Sequence, residues 1–129
     1  MKLTENFKKK EFECADGSEM PIEVQLNIAE LAVQLEIIRY HFNAPIKINS
    51  AYRSPEYNAT IPGASKNSQH VLGKAADIVV KGYTPDEVAD ALEFLINTGM
   101  IKEGGVGRYN TFTHYDIRGE RARWNYKTI

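Results

Sequence analysis

The stretch from Pro21 to Phe42 constrains this chain more than any other. Leu26, Ala29, Leu31, Val33, Leu35, Ile37, Ile38 and Phe42 recur there at roughly helical spacing, with Glu30, Gln34, Glu36 and Arg39 between them. The spacing predicts a long amphipathic helix, roughly 30 Å from end to end, and the remaining chain must supply the apolar surface that it covers. At 129 residues the chain fits one domain, 1–129, able to bury a continuous core without disulfide or metal staples.

Beyond the helix the period changes. In PIKINSAYRS, Ile46, Ile48 and Ser50 alternate with Lys47 and Asn49, the pattern of a half-buried strand ending near Ser50 to Tyr52. Residues 53–69, RSPEYNATIPGASKNSQ, hold two prolines, a glycine and several Ser and Asn, and read as a long ordered loop. Loops of that length in small domains usually serve function. AADIVVKG reads as a buried strand. Thr84-Pro85-Asp86-Glu87 then starts a helix, with Thr84 as N-cap, Pro85 in the first turn and Glu87 completing a capping box; it runs to about Asn97 and stops before Gly99. GGVGRYNTFTHYDIRGERARW carries aromatic and β-branched residues with glycines that read as bends, as in a hairpin or two short strands. The order predicts an α+β fold, helices against a mostly antiparallel sheet.

Charge narrows the function. Sixteen basic against seventeen acidic side chains, a net charge of −1, leave no footprint for nucleic acid or an anionic bilayer. The tail RGERARW combines three arginines with Trp124, whose pattern suits an apolar anchor closing the core. No apolar run approaches the ~18 residues of a membrane span, and MKLTENFKKKEFE has no secretory apolar region. No nucleic acid, no membrane insertion and a soluble monomer without a signal peptide are expected. Cys14 is the single cysteine and reads as a small, partly buried apolar residue.

Three histidines remain. His41, near the end of the long helix, suits a surface or structural position beside the helix dipole. His70 and His114 each lie at the edge of a predicted strand with a carboxylate near in sequence, Asp77 and Asp116. If TFTHYDI is extended, His114 and Asp116 share a face. His70, Asp77 and His114 supply the three ligands a catalytic zinc site needs, and Asp116 is left as a base or as the partner fixing a ligand's tautomer. The bland alternative is a set of satisfied polar groups at strand ends.

SQHVLGKAADI resembles the Ser-x-His-x-x-Gly-x-Ala-x-Asp signature of the zinc-dependent M15 peptidases, the D-Ala-D-Ala carboxypeptidases and peptidoglycan endopeptidases. INSAYRSPEYN resembles their Ser-x-x-Arg segment, GGVGRYNTFTHYDIRGERARW their second His segment, and ENFKKKEFECADG the opening of the M15A-like branch. The resemblance implies a hedgehog/DD-peptidase-like zinc fold with His70, Asp77 and His114 on Zn²⁺. It also implies Ser68 and Arg53 contacting substrate or the oxyanion, and Gly73 and Ala75 permitting a tight turn between ligands. Many members carry a Glu or Asp three residues before the second zinc His, where this chain has Thr111. Asp116 is the nearest replacement and is expected to do acid/base work, with Arg118 holding it ionised or shaping the rim. Ser50 is expected to hold the strand end, and Glu56 and Glu103 to be solvated.

The function these expectations describe is a zinc peptidase cutting stems or cross-links of bacterial peptidoglycan, as a carboxypeptidase, endopeptidase or phage endolysin. It would act at the cell wall after lysis, virion delivery or another export route. The alternative is a non-catalytic, zinc-containing wall-binding or phage structural module.

Overall fold

The computed structural model describes residues 1–128. Its elements, after a 3₁₀ turn at Lys9–Phe12, are α1 (Ile22–Phe42), β1 (Ile46–Ser50), α2 (Pro55–Asn58), β2 (Ala75–Val80), α3 (Pro85–Asn97), β3 (Gly105–Arg108), β4 (Thr113–Asp116) and β5 (Ala122–Asn125). The C-terminal third thus makes three short strands, one more than the aromatic pattern suggests.

α1 buries Val24, Ile28, Leu31, Leu35, Ile38 and Phe42, steps of four and three that trace one face. Leu26 and Val33, counted in the sequence among the apolar repeat, are 68% and 49% exposed, with Ile22 and Tyr40 also outward. The helix is apolar on two sides, so its periodicity alone cannot say which side is the core. It ends at Asn43 in the left-handed region (φ 50°), whose N–H donates to the Arg39 and Tyr40 carbonyls. α3 starts as its sequence dictates: Thr84 Oγ1 accepts from Glu87 N–H at 3.1 Å and Glu87 Oε1 accepts from Thr84 N–H at 2.8 Å.

The five strands form one sheet in the order β1-β2-β4-β3-β5. Three pairings are antiparallel and β3 with β5 is parallel, so the sheet is mostly antiparallel, packed by helices, as the α+β reading expects. Side chains alternate across it. Ala76, Ile78 and Val80 of β2, Val106 of β3 and Tyr115 of β4 join the core with the buried faces of α1 and α3. The opposite parity, with Asp77, Gly107 and His114, faces away from that core and carries the site.

The N-terminal segment braces the turn after β1. Phe7 and Phe12 pack edge to face at 6.2 Å. The Phe12 carbonyl accepts from Tyr52 N–H (3.0 Å), Cys14 Sγ from Ser54 N–H (3.4 Å), and Asp16 Oδ2 from the Ser54 hydroxyl (2.7 Å). Residues 52 and 54 are therefore pinned on either side of Arg53. Cys14 is free and buried, more fully than the partly buried position expected of it. No described helix is long and apolar enough to cross a membrane.

Candidate metal centre and cleft

One line of paired residues runs across the whole sheet: Ser50 on β1, Asp77 on β2, His114 on β4, Gly107 on β3 and Trp124 on β5. Residues paired laterally point to the same side, so strand register alone sets these five next to one another. A β-bulge between Ile48 and Ser50 completes the row: Ile48 pairs with Ile78, yet Ser50, not Asn49, pairs with Asp77. The extra residue turns the serine onto the face of the carboxylate.

His70 comes from the long loop. Its carbonyl accepts from Arg53 N–H (3.1 Å) and Gly73 N–H (3.2 Å), and its own N–H donates to Ser68 Oγ at 3.2 Å. Gly73 closes this turn with φ +76°, and a Cβ there would lie 2.8 Å from Val24 Cγ1, so both conformation and space demand glycine. Ala75, expected to share in that turn, lies instead in β2 opposite Asp116, where a small side chain leaves room for a carboxylate.

The three expected ligands converge. Donor atoms of His70, Asp77 and His114 all lie within 4.8 Å of one another, and all three residues are buried. Each imidazole has its other nitrogen occupied. His70 Nδ1 lies 2.7 Å from the Ala51 carbonyl, which can only accept, so Nδ1 carries a proton and Nε2 is the nitrogen turned to the trio, 3.3 Å from Asp77 Oδ1. His114 Nε2 lies 2.7 Å from Asp116 Oδ2, leaving Nδ1 at 3.2 Å from the same Asp77 oxygen. Two imidazole nitrogens and a carboxylate oxygen converging in this way, each ring fixed from behind, are a donor set that fits a metal ion such as zinc.

Electrostatics favours the ionised carboxylates. Burial alone would raise Asp77, but hydrogen bonds from His114 and His70 outweigh it and hold it well below the usual carboxylate range. The same opposition holds Asp116 down, where burial is overcome by hydrogen bonds from His114 and Arg118. For His114 burial lowers the pKa, and the bonds to Asp116 and Asp77 carry it above its ordinary value.

Asp116 does not stand where a proton shuttle would. It has no exposed surface. Oδ1 accepts from Gly105 N–H (2.8 Å) and Arg118 Nε (2.9 Å), and Oδ2 from Arg118 Nη2 (2.8 Å) and His114. Every lone-pair direction is taken, and the residue is absent from the cleft wall. Its geometry is that of the tautomer-fixing partner, the other role left open in the sequence. β3 makes the space: a Cβ on Gly105 would lie 2.2 Å from Asp116 Oδ2. Gly105 and Gly107 of GGVGRY therefore serve within a strand rather than at bends.

A cleft of about 690 Å³ opens over the trio, lined among others by Arg53, Ser68, His70, Asp77, Tyr109, His114 and Trp124. Arg53 is held by Ser50 Oγ (3.3 Å), Asn58 Oδ1 (3.4 Å) and Asp77 Oδ2 (3.5 Å). Among the described residues three of its five N–H groups find partners, which leaves two to meet a ligand. Ser68 Oγ accepts from His70 N–H and keeps its own proton to donate. Trp124 departs from expectation: it is half-buried on the cleft wall, 4.8 Å from the His114 ring, with the Arg118 guanidinium 5.6 Å from its own, and not in the core. Thr111 and Glu56 are exposed, Glu103 pairs with Arg123 at 3.0 Å, and His41 is exposed on α1. Sequence reasoning passed over Gly105, Gly107 and Tyr109. The one signal for them was two glycines at alternate positions in a run otherwise fit for a strand.

A family profile described as Peptidase M15 matches residues 5–116. The probable peptidoglycan L,D-endopeptidase MepK of Haemophilus influenzae is 39% identical over 80 residues, 57% of this chain and 40% of that protein. The chain thus aligns with less than half the length of that relative. The family match takes in both histidine segments and the turn that carries Arg53: this chain belongs to the peptidase M15 family.

Proposed function

We propose that the chain is a zinc-dependent endopeptidase that hydrolyses amide bonds in the peptide stems or cross-links of bacterial peptidoglycan, at the cell wall. The observation that carries this reading is the His70, Asp77 and His114 trio at the floor of an open cleft, with both ring tautomers fixed by Ala51 and Asp116. The similarity to a probable peptidoglycan L,D-endopeptidase favours the wall peptide as substrate and an internal bond over a terminal one.

His70 Nε2, Asp77 Oδ1 and His114 Nδ1 would hold the zinc, which when bound would supply Lewis acidity for amide hydrolysis by water. Arg53, with two free N–H donors beside Asp77, binds the carbonyl oxygen and stabilises negative charge as it develops there. The Ser68 hydroxyl donates to a neighbouring substrate carbonyl and fixes the peptide's register. Asp116 keeps the His114 proton on Nε2, and Arg118 keeps Asp116 ionised.

A second reading, a wall-binding module without turnover, rests on one observation: among the described residues lining the cleft, Asp77 is the sole carboxylate. Digestion of purified peptidoglycan separates the two. The peptidase reading predicts zinc-dependent release of new amino termini, with product masses that identify an internal stem or cross-link bond. Tight binding to the polymer with no new termini would establish the module.

A further inference from the structure

The scissile oxygen of an amide gains negative charge in the transition state, and besides Arg53 the cleft offers a second donor to meet it. Arg53 stands over the Ser50 and Asp77 end of the lateral row. At the other end Trp124 Nε1–H donates to the hydroxyl oxygen of Tyr109 at 2.9 Å. That oxygen therefore accepts from the indole, and its own proton must point elsewhere. Tyr109 lines the same cleft as the trio.

The phenol is fixed in place. Its ring stacks on Phe112 with centroids 4.3 Å apart and planes 15° apart, and meets Tyr126 edge to face at 5.7 Å. Trp124 is fixed in turn by the His114 ring and by Gly107, whose lack of a Cβ leaves the space the indole fills: a Cβ there would lie 2.3 Å from Nε1. Burial pushes the Tyr109 hydroxyl up, with the Asp77 charge adding to it, so the group is a donor at neutral pH.

We propose that Tyr109 is a catalytic residue, its hydroxyl donating a hydrogen bond to the oxyanion of the tetrahedral intermediate from the side opposite Arg53, with Trp124 as its positioning residue. This rests on the peptidase reading. A preorganised donor of this kind acts on the transition state and little on the ground state.

The test is steady-state hydrolysis of purified muropeptides by zinc-loaded wild type, Tyr109→Phe and Trp124→Phe, together with zinc content and the affinity of a phosphinic-acid peptide that mimics the tetrahedral centre. Tyr109→Phe keeps the ring stack and loses only the hydroxyl. Its kcat is expected to fall about 100-fold with KM and zinc content unchanged and with weaker phosphinate binding; Trp124→Phe is expected to show a smaller fall in kcat. A Tyr109→Phe kcat within twofold of wild type overturns the proposal, as does a loss of rate that tracks loss of zinc. If zinc-loaded wild type releases no amine, the peptidase reading fails by itself. Equal phosphinate affinity in wild type and Tyr109→Phe then overturns the role of Tyr109 as well.

Discussion

Asp116 holds His114 from behind: Oδ2 of the fully buried carboxylate lies 2.7 Å from Nε2, and the opposite ring nitrogen, Nδ1, faces Asp77 at 3.2 Å. The relationship fixes which imidazole nitrogen can hold a metal. Partners of this kind typically contribute 10- to 100-fold in metal affinity or activity. Asp116→Asn is therefore expected to weaken zinc binding by about that factor and to regain much of its rate at saturating zinc, measured by zinc titration and by activity against zinc concentration. Unchanged zinc affinity with lost turnover would instead place Asp116 in proton transfer.

Gly107→Ala tests the lateral row. The added methyl collides with the Trp124 indole at 2.3 Å, so Trp124 must leave its place over His114. Overpacking of this type costs about 1–3 kcal/mol. The melting temperature should fall by several degrees, intrinsic Trp fluorescence should shift toward that of an exposed indole, and zinc should still bind because no ligand moves. Fluorescence identical to wild type would show that the indole does not need this space.

Arg53→Lys keeps the charge and loses the fork. Lysine cannot span Ser50, Asn58 and Asp77 while presenting two further donors. Loss of an oxyanion donor predicts a kcat lower by about 100-fold, with zinc stoichiometry preserved. A KM effect alone would mean that Arg53 binds the substrate's ground state.

The metal-free chain should be most stable in mild acid. His114 lies above its ordinary value of 6.5, so its contribution is complete below the unfolded pKa and is lost as pH rises through the folded one. Asp77 and Asp116 lie below their ordinary 3.8, so theirs is complete above that value and is lost as pH falls. The melting temperature without metal should rise as pH is raised toward about 4 to 5 and decline as pH climbs above the ordinary histidine value of 6.5. Zinc reverses the upper limb, because a bound metal requires the bare nitrogen and affinity climbs with pH. A metal-free melting temperature that climbs as the solution is made alkaline would contradict the paired state of His114.

The sequence carried the local rules and left the lateral ones hidden. The capping box at Thr84 and the mostly antiparallel α+β layout were legible because caps and side-chain periods are encoded in contiguous residues. The burial of α1 was not, because apolar residues lie on both its sides and only tertiary packing selects Val24 and Leu31 over Leu26 and Val33. That His70, Asp77 and His114 belong together was suggested by the resemblance of their segments to a known family, since spacing alone left satisfied polar groups as the alternative; their convergence is a property of the fold. The place of Asp116 behind His114 depends on Gly105 lying beside it on the neighbouring strand, and that of Trp124 on Gly107. Such neighbours are set by strand pairing, which no single segment reveals. The bulge that aims Ser50 at Asp77 is likewise visible only once β1 and β2 are paired.

The most direct test of the central claim is zinc add-back. Wild type and Asp77→Ala would be stripped with a chelator and titrated with zinc while new amino termini released from purified peptidoglycan are counted. The account predicts that wild type binds one zinc per chain and regains hydrolysis in proportion to it, and that Asp77→Ala regains neither. Hydrolysis by stripped wild type, or equal restoration in Asp77→Ala, would contradict a metal centre built on His70, Asp77 and His114.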